Sequence, residues 1–197
     1  MYFCALSTAK GMNVNMDKHF EEDLKKAREF HGHLCSGIIF GVRIARAGLN
    51  YLGIEEPAEN KDFIVFVEAD RCLSDAVQAV TGCSLGKRRL KWIDYGKMGA
   101  SFIDMKTLKG IRIVVNTKEN PSPDQDALSF WNQFTDEQIF KFEKVLVDIR
   151  PEDLPGRPTR SVKCEACHEK VMDGREIIKD GKVLCKACAG DAYYKKI

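Results

Sequence analysis

Phe63-Ile64-Val65-Phe66-Val67 is an unbroken run of β-branched and aromatic residues, set between a polar loop over 55–60 that holds Pro57 and the charged Glu68. A stretch this short and this apolar predicts a buried central strand. It leads straight into Glu68-Ala69-Asp70-Arg71-Cys72-Leu73-Ser74-Asp75-Ala76-Val77-Gln78-Ala79-Val80, where Cys72, Ala76, Val77 and Val80 recur at helical spacing. The spacing predicts a helix that starts at the strand's carboxyl end, which is where open α/β sheets place ligands. Glu68, Asp70 and Cys72 therefore form one cluster of chemical interest.

Upstream lies a second cluster, His31-Gly32-His33-Leu34-Cys35-Ser36-Gly37. Imidazole nitrogen and thiolate sulfur suit zinc and similar metals, and a thiolate beside a cationic imidazole is also a nucleophile. A metal site and a cysteine reaction centre, Cys35 paired with His33, are both open. The plain alternative is a helical corner with surface histidines and a small core cysteine. Glycine on either side predicts a turn, and Ser36 stands where it would cap the next helix. The turn is framed by two predicted helices. The first starts at Asp17 and carries Phe20, Leu24, Ala27 and Phe30 on one face. The second spans 37–52, with Ile38, Val42, Ala45 and Leu49 in a stripe, Gly41 and Ala45 allowing close packing, and Gly53 as the stop. Residues 1–15 show no period and read as a loosely ordered leader, with Met12 and Met16 as alternative starts.

Downstream, Thr81-Gly82-Cys83-Ser84-Leu85-Gly86-Lys87-Arg88-Arg89 is turn-rich and basic; it is an anion-holding loop or simply an exposed one. Short strands are expected at 90–94, 100–106 and 111–116, the last two joined by a hairpin turn at 107–110. Two helices follow at 125–134 and 136–146, with Thr135 capping the second, and an edge strand is open at 145–149. Phe130, Trp131, Phe134, Phe140 and Phe142 make this part aromatic, for the core or a dimer contact. Pro151, Pro155, Gly156 and Pro158 punctuate a linker. The chain thus divides into a leader (1–15), an α+β core domain with a mixed sheet flanked by helices (16–156) and a small terminal domain (157–197).

The terminal domain holds the most specific motif. Cys164-Glu165-Ala166-Cys167 and Cys185-Lys186-Ala187-Cys188 are separated by seventeen residues, the pattern of a tetrahedral four-thiolate zinc site. Strand-like pieces around Asp180-Gly181 and a short helix from the last pair to Tyr194 would complete a treble-clef zinc finger. A module this short cannot bury enough apolar surface to fold alone, whereas structural zinc contributes roughly 10–16 kcal/mol in comparable peptides. Four protein ligands leave no open position for substrate, so this zinc is structural; His168 is a spare donor. From Arg157 onward ten Lys or Arg stand against six Asp or Glu, which leaves a nucleic-acid contact open beside a plain solvated face.

Composition sets the outer limits. With 44% hydrophobic and 30% charged residues and a formal charge of +2, the chain makes no global case for nucleic acid. The most apolar run, 38–54, is broken by Arg43 and Arg46 and falls short of the roughly 20 residues a membrane span needs. Without a basic n-region at the start, no secretory signal is expected, and the cytoplasm is the expected compartment. There, cysteines in Cys-x-x-Cys pairs read as metal ligands rather than disulfides.

Phe30-His31-Gly32-His33-Leu34-Cys35, the segment from Glu68 to Gly82 with Cys72 and Asp75-Ala76-Val77-Gln78, the Thr81 to Lys87 turn and Asp94-Tyr95-Gly96-Lys97, in this order, resemble the FmdE family, whose name comes from formylmethanofuran dehydrogenase. The resemblance covers most of 18–150, and some members also carry a terminal zinc finger. It implies a thioredoxin-like α+β core, a homodimer and a metal-binding active site in that core, in anaerobic bacteria and archaea. It also implies a link in some members to the molybdenum or tungsten formylmethanofuran dehydrogenase complex. Ser36 departs from the proline usual at that position. Carried over, the core site uses His33, Cys35 and Cys72, with His31 as a fourth ligand or a partner behind the ligands and Cys83 as a lesser candidate. Glu68 or Asp70 would orient an imidazole or act as a base. The resulting expectation is a metal-binding protein of anaerobic one-carbon metabolism, enzyme or accessory component, with a second divalent metal, zinc by preference, in the core. The competing expectation is a regulatory module that binds nucleic acid or protein through the basic finger, with the core as a metal or ligand sensor.

Overall fold

The structure, a computed structural model, describes residues 18–197. The leader expected over 1–15 and the starts at Met12 and Met16 lie outside the described residues. The chain forms two compact units, one ending at Asp148 and the other running from Ile149 to Ile197. The proline-rich stretch 151–158 therefore belongs to the second unit.

The first unit contains helices α1 (Lys18–His31), α2 (Ser36–Leu52) and α3 (Cys72–Thr81), strands β1 (Phe63–Val67), β2 (Leu90–Trp92), β3 (Gly99–Asp104) and β4 (Lys109–Val115), two short helices α4 (Ala127–Trp131) and α5 (Asp136–Ile139), and strand β5 (Phe140–Leu146). The five strands make one mixed sheet in the order β2-β1-β3-β4-β5. β1 is an interior strand, as its sequence predicts: it runs parallel to β2 with Val65 opposite Leu90, and antiparallel to β3 with Val65 opposite Phe102. Phe63, Ile64 and Val65 are wholly buried.

Alternation along the strands builds the core. Phe63, Val65, Val67, Ala100, Phe102, Ile111, Ile113 and Phe140 join the apolar residues of the three long helices in one cluster. α2 lies at its centre, and glycine permits its close approaches. A Cβ on Gly48 would stand 2.2 Å from the Phe102 ring, and one on Gly41 would stand 2.5 Å from the Cβ of Ala76. α1 buries Phe20, Leu24 and Ala27 as expected, whereas Phe30, the fourth member of the predicted stripe, is 54% exposed.

The segment 136–146 differs from expectation. In place of one helix it forms a single turn of helix, α5, and then β5, which pairs antiparallel with β4 from Val115↔Phe140 to Lys109↔Leu146. β4 offers an open row of amides and carbonyls, and filling it satisfies both backbones while placing Phe140 in the core. Pairing with the sheet thus overrides a helical pattern that had no long-range partner to read. Thr135 does stand at the start of α5, its amide donating to Gln138 Oε1 at 2.8 Å. α4 is shorter than expected and is capped by Asp126, which accepts from the Ser129 amide at 2.8 Å.

The second unit has a 3₁₀ turn (Pro151–Asp153) and four short strands, β6 (Ser161–Lys163), β7 (Lys170–Met172), β8 (Ile177–Lys179) and β9 (Lys182–Leu184), paired antiparallel as β6-β7 and β8-β9. The β8-β9 hairpin turns at Asp180 and Gly181, both at positive φ, the geometry that suits the twist of a two-residue loop. The helix expected to run to Tyr194 does not form: residues 186–190 make turns, and Gly190 sits at φ 113°. Among the described residues no helix is long and apolar enough to cross a membrane.

Candidate metal centre

Three side chains of the predicted His/Cys turn converge. The donor atoms of His31, His33 and Cys35 all lie within 4.8 Å of one another. His31 is the last residue of α1, which closes with the Gly32 amide donating to the Arg28 carbonyl at 2.8 Å. Gly32 then takes φ +98°, a turn that side-chain-bearing residues rarely adopt, and brings His33 back over His31 with ring centroids 4.6 Å apart. Cys35 is the residue that caps α2. Ser36 does not cap it: its hydroxyl accepts from Trp131 Nε1 at 2.8 Å, because the indole of α4 needs a partner once buried.

His31 carries the site's clearest chemical signature. Its Nδ1 is 2.8 Å from Asp75 Oδ2, in the first turn of α3, and its Nε2 is buried with no hydrogen-bond partner. A carboxylate only accepts, so Nδ1 carries the hydrogen and the Nε2 lone pair faces Cys35 and His33. Ligating histidines are oriented by a carboxylate in this way. The donors present therefore fit a borderline-soft divalent metal: two nitrogens and one sulfur, with His33 exposed on the open side.

Cys72, the first residue of α3, sits beside this group rather than within it. The starts of α2 and α3 touch, since a Cβ on Gly37 would stand 2.9 Å from the Cys72 Cβ. Burial raises the Cys72 pKa above that of an ordinary thiol, and a hydrogen bond with Cys35 raises it further. Cys83 belongs to the core; it is fully buried and burial likewise pushes its thiol up.

The carboxylates divide otherwise than their positions in the chain imply. Glu68 is committed to Arg112, with Oε1 and Oε2 accepting from Nε at 2.6 Å and Nη2 at 2.7 Å, while Arg112 Nη1 reaches Glu143. These two carboxylates hold the guanidinium pKa above its usual value. Glu68 thus braces the sheet from β1 to β5, and Asp70 is exposed. The imidazole partner is Asp75. The signal that finds it is its place one helical turn after Cys72, on the side of α3 that packs against α1. In the basic loop, Lys87 Nζ donates to the Gly82 carbonyl at 3.1 Å and Arg89 to the Asn60 carbonyl at 2.6 Å, so these cations hold the loop itself.

In the second unit the sulfurs of Cys164, Cys167, Cys185 and Cys188 lie within 4.8 Å of one another. Cys167 Sγ and Cys185 Sγ are 3.9 Å apart, against about 3.8 Å for the edge of a zinc tetrahedron built on a Zn–S bond of about 2.3 Å. Each pair is held by its own turn. His168, at φ 63°, donates its amide to the Cys164 carbonyl at 2.9 Å, and the Ala189 amide donates to the Cys185 carbonyl at 3.0 Å. Backbone amides, that of Cys167 foremost, lower the Cys164 pKa to about 6, while hydrogen bonds to neighbouring thiols, Cys185 foremost, push Cys188 up to about 12. Four thiolates so close repel one another without a cation between them.

Fold and sites together define a metal-binding α+β protein with an appended four-cysteine zinc finger. The chain belongs to the FmdE family: the family model described as "FmdE, Molybdenum formylmethanofuran dehydrogenase operon" matches residues 30–148, and the prokaryotic dksA/traR C4-type zinc finger matches 157–194. A "probable S-adenosyl-L-methionine-binding protein" of Archaeoglobus fulgidus is 34% identical over 202 residues, a match that covers 86% of this chain and 53% of that protein. The chain therefore spans about half the length of this curated relative. In the crystal structure of an FmdE-like protein of the tungsten formylmethanofuran dehydrogenase type from Syntrophus aciditrophicus, the fold is similar with a TM-score of 0.58 at 23% identity, over 95% of this chain and 100% of that one.

Proposed function

We propose that the core binds a divalent metal, zinc by preference, through His31 Nε2, His33 and Cys35, with Cys72 as a further sulfur donor. On this reading the chain serves anaerobic one-carbon metabolism of the formylmethanofuran dehydrogenase type, as an enzyme or accessory component. The observation that carries the metal is the buried, unpartnered Nε2 of His31 facing two other donors. When bound, the metal supplies Lewis acidity and a water of lowered pKa. The chain's own residues do the rest: Asp75 keeps the hydrogen on His31 Nδ1, and the first-turn amides of α2 and α3 favour negative charge on Cys35 and Cys72. His33 leaves one side open to a ligand. The one-carbon assignment rests on the family's name. A cytoplasmic homodimer with a thioredoxin-like core and a place in a formylmethanofuran dehydrogenase-type complex belong to the same proposal.

Elemental analysis of the full chain, purified anaerobically, tests this. Two metals per chain are expected, falling to one in His31→Ala and in Cys35→Ser while the finger stays loaded. One metal in the wild type, or two in both variants, overturns the core site. Cys72→Ala separates a direct ligand, which loses the core metal, from a neighbour, which keeps it.

A second reading has its own support. The name of the Archaeoglobus relative favours a core that senses a small ligand such as S-adenosyl-L-methionine, and the ten-to-six cationic surplus of the finger favours a nucleic-acid or protein partner. Calorimetric binding of S-adenosyl-L-methionine and salt-dependent binding of DNA or RNA would support it; neither ligand binding at low salt would count against it.

A further inference from the structure

We infer that Asp75 is the positioning residue of the core site and that His31 is its anchoring ligand, with His33 the exchangeable one. The inference rests on the metal reading above and adds a division of labour between two histidines that look equivalent in sequence. They differ in everything that surrounds them. The His31 side chain is 16% exposed, receives Asp75 on Nδ1 at 2.8 Å and has its Nε2 shut away from solvent. His33 is exposed, and it rests against the His31 ring itself.

A free imidazole spreads its hydrogen over two nitrogens and its ring over two χ2 orientations, so only part of the population presents Nε2 as a lone pair in the right direction. Asp75 removes both freedoms at once, because its carboxylate accepts only from Nδ1–H and stands on a rigid element. That element is α3, whose first turn is tied down by the Ser74 amide donating to the Arg71 carbonyl at 2.8 Å and the Ser74 hydroxyl donating to the Ala69 carbonyl. The bond spans 44 residues of sequence and joins the carboxyl end of α1 to the amino end of α3. His33 lacks a brace of this kind, which suits a ligand that leaves when a substrate or a second donor arrives.

Cobalt(II) titration of the full chain, with the finger already holding zinc, tests the inference through the visible d–d bands of the core site. Asp75→Ala is expected to weaken core cobalt binding roughly 10- to 100-fold and to alter the bands, with Asp75→Asn, which keeps an acceptor in place, falling between it and the wild type. In a His31→Ala background, Asp75→Ala is expected to change nothing further, because the ring it positions is gone. Wild-type affinity and bands in Asp75→Ala overturn the inference. So does an Asp75→Ala loss that persists undiminished without His31, which would mark a general role in holding α3. If the wild type takes up no core cobalt, the metal reading itself has failed and this inference with it, a result distinct from either of the others.

Discussion

Arg43 shows how much can hang on a single residue. In sequence it is a charge that interrupts an apolar helix; in the fold it is buried and reaches across to residues about ninety positions further along the chain. Its Nε donates to Asp136 Oδ1 at 2.6 Å, and its two terminal nitrogens donate to the carbonyls of Trp131 and Phe134 at 2.9 Å each. The guanidinium thereby terminates α4 and starts α5. Replacing it with Ala strands a buried carboxylate, a loss of about 3–5 kcal/mol that thermal or urea unfolding would measure. The pH dependence has a definite sign. Burial raises the folded-state pKa of Asp136, with Arg43 opposing it, so its contribution is fully present below the unfolded value near 3.9 and is lost as pH rises through the raised folded value. Arg43→Ala removes the opposing charge, and the loss with rising pH should be larger than in the wild type.

At the scale of elements, contact between α2 and the sheet depends on side chains that are absent. A Cβ on Gly48 would stand 2.2–2.6 Å from three atoms of the Phe102 ring, and one on Gly110 of β4 would stand 1.9 Å from the Phe102 carbonyl oxygen. A ring can tilt and a strand backbone cannot without breaking its ladder. Gly48→Ala is therefore expected to cost about 1–3 kcal/mol by overpacking, and Gly110→Ala more, as read by denaturant midpoints. Long elements with internal evidence are legible in sequence: α1, α2, β1 and α3 announce themselves by period, and Gly53 ends α2 at φ 69° as a stop residue should. β5 is not legible in that way, because its reason for being a strand is the open edge of β4. The closing helix of the finger fails for a related reason, since nothing in a run of turns holding Gly190 obliges a helix to start.

At the scale of the whole molecule, the two units hold together by different means. The unit ending at Asp148 has a continuous apolar core, whereas the buried apolar residues of 149–197 are Cys164 and Leu184. Chelation should accordingly unfold the second unit and leave the first intact. Hydrogen exchange after incubation with a strong chelator is expected to show full exchange over 161–190 and retained protection in β1, β3 and β4; loss of protection in both would mean that the core also depends on metal.

The central strand, the helices on either side of the His/Cys turn and the four-cysteine finger were all readable from the order of residues. Each of these is a local pattern, in which spacing alone places like residues on one face or four sulfurs at two turns. Which carboxylate serves the core site is another matter, settled in three dimensions. Glu68 and Asp70 are nearer to Cys72 in the chain or as near, but Glu68 finds Arg112 and Asp70 finds solvent, while Asp75 finds His31 across 44 residues. Hydrogen-bond partners at such separation are set by how α1 and α3 pack, and packing is a property of the assembled core that no window of sequence contains.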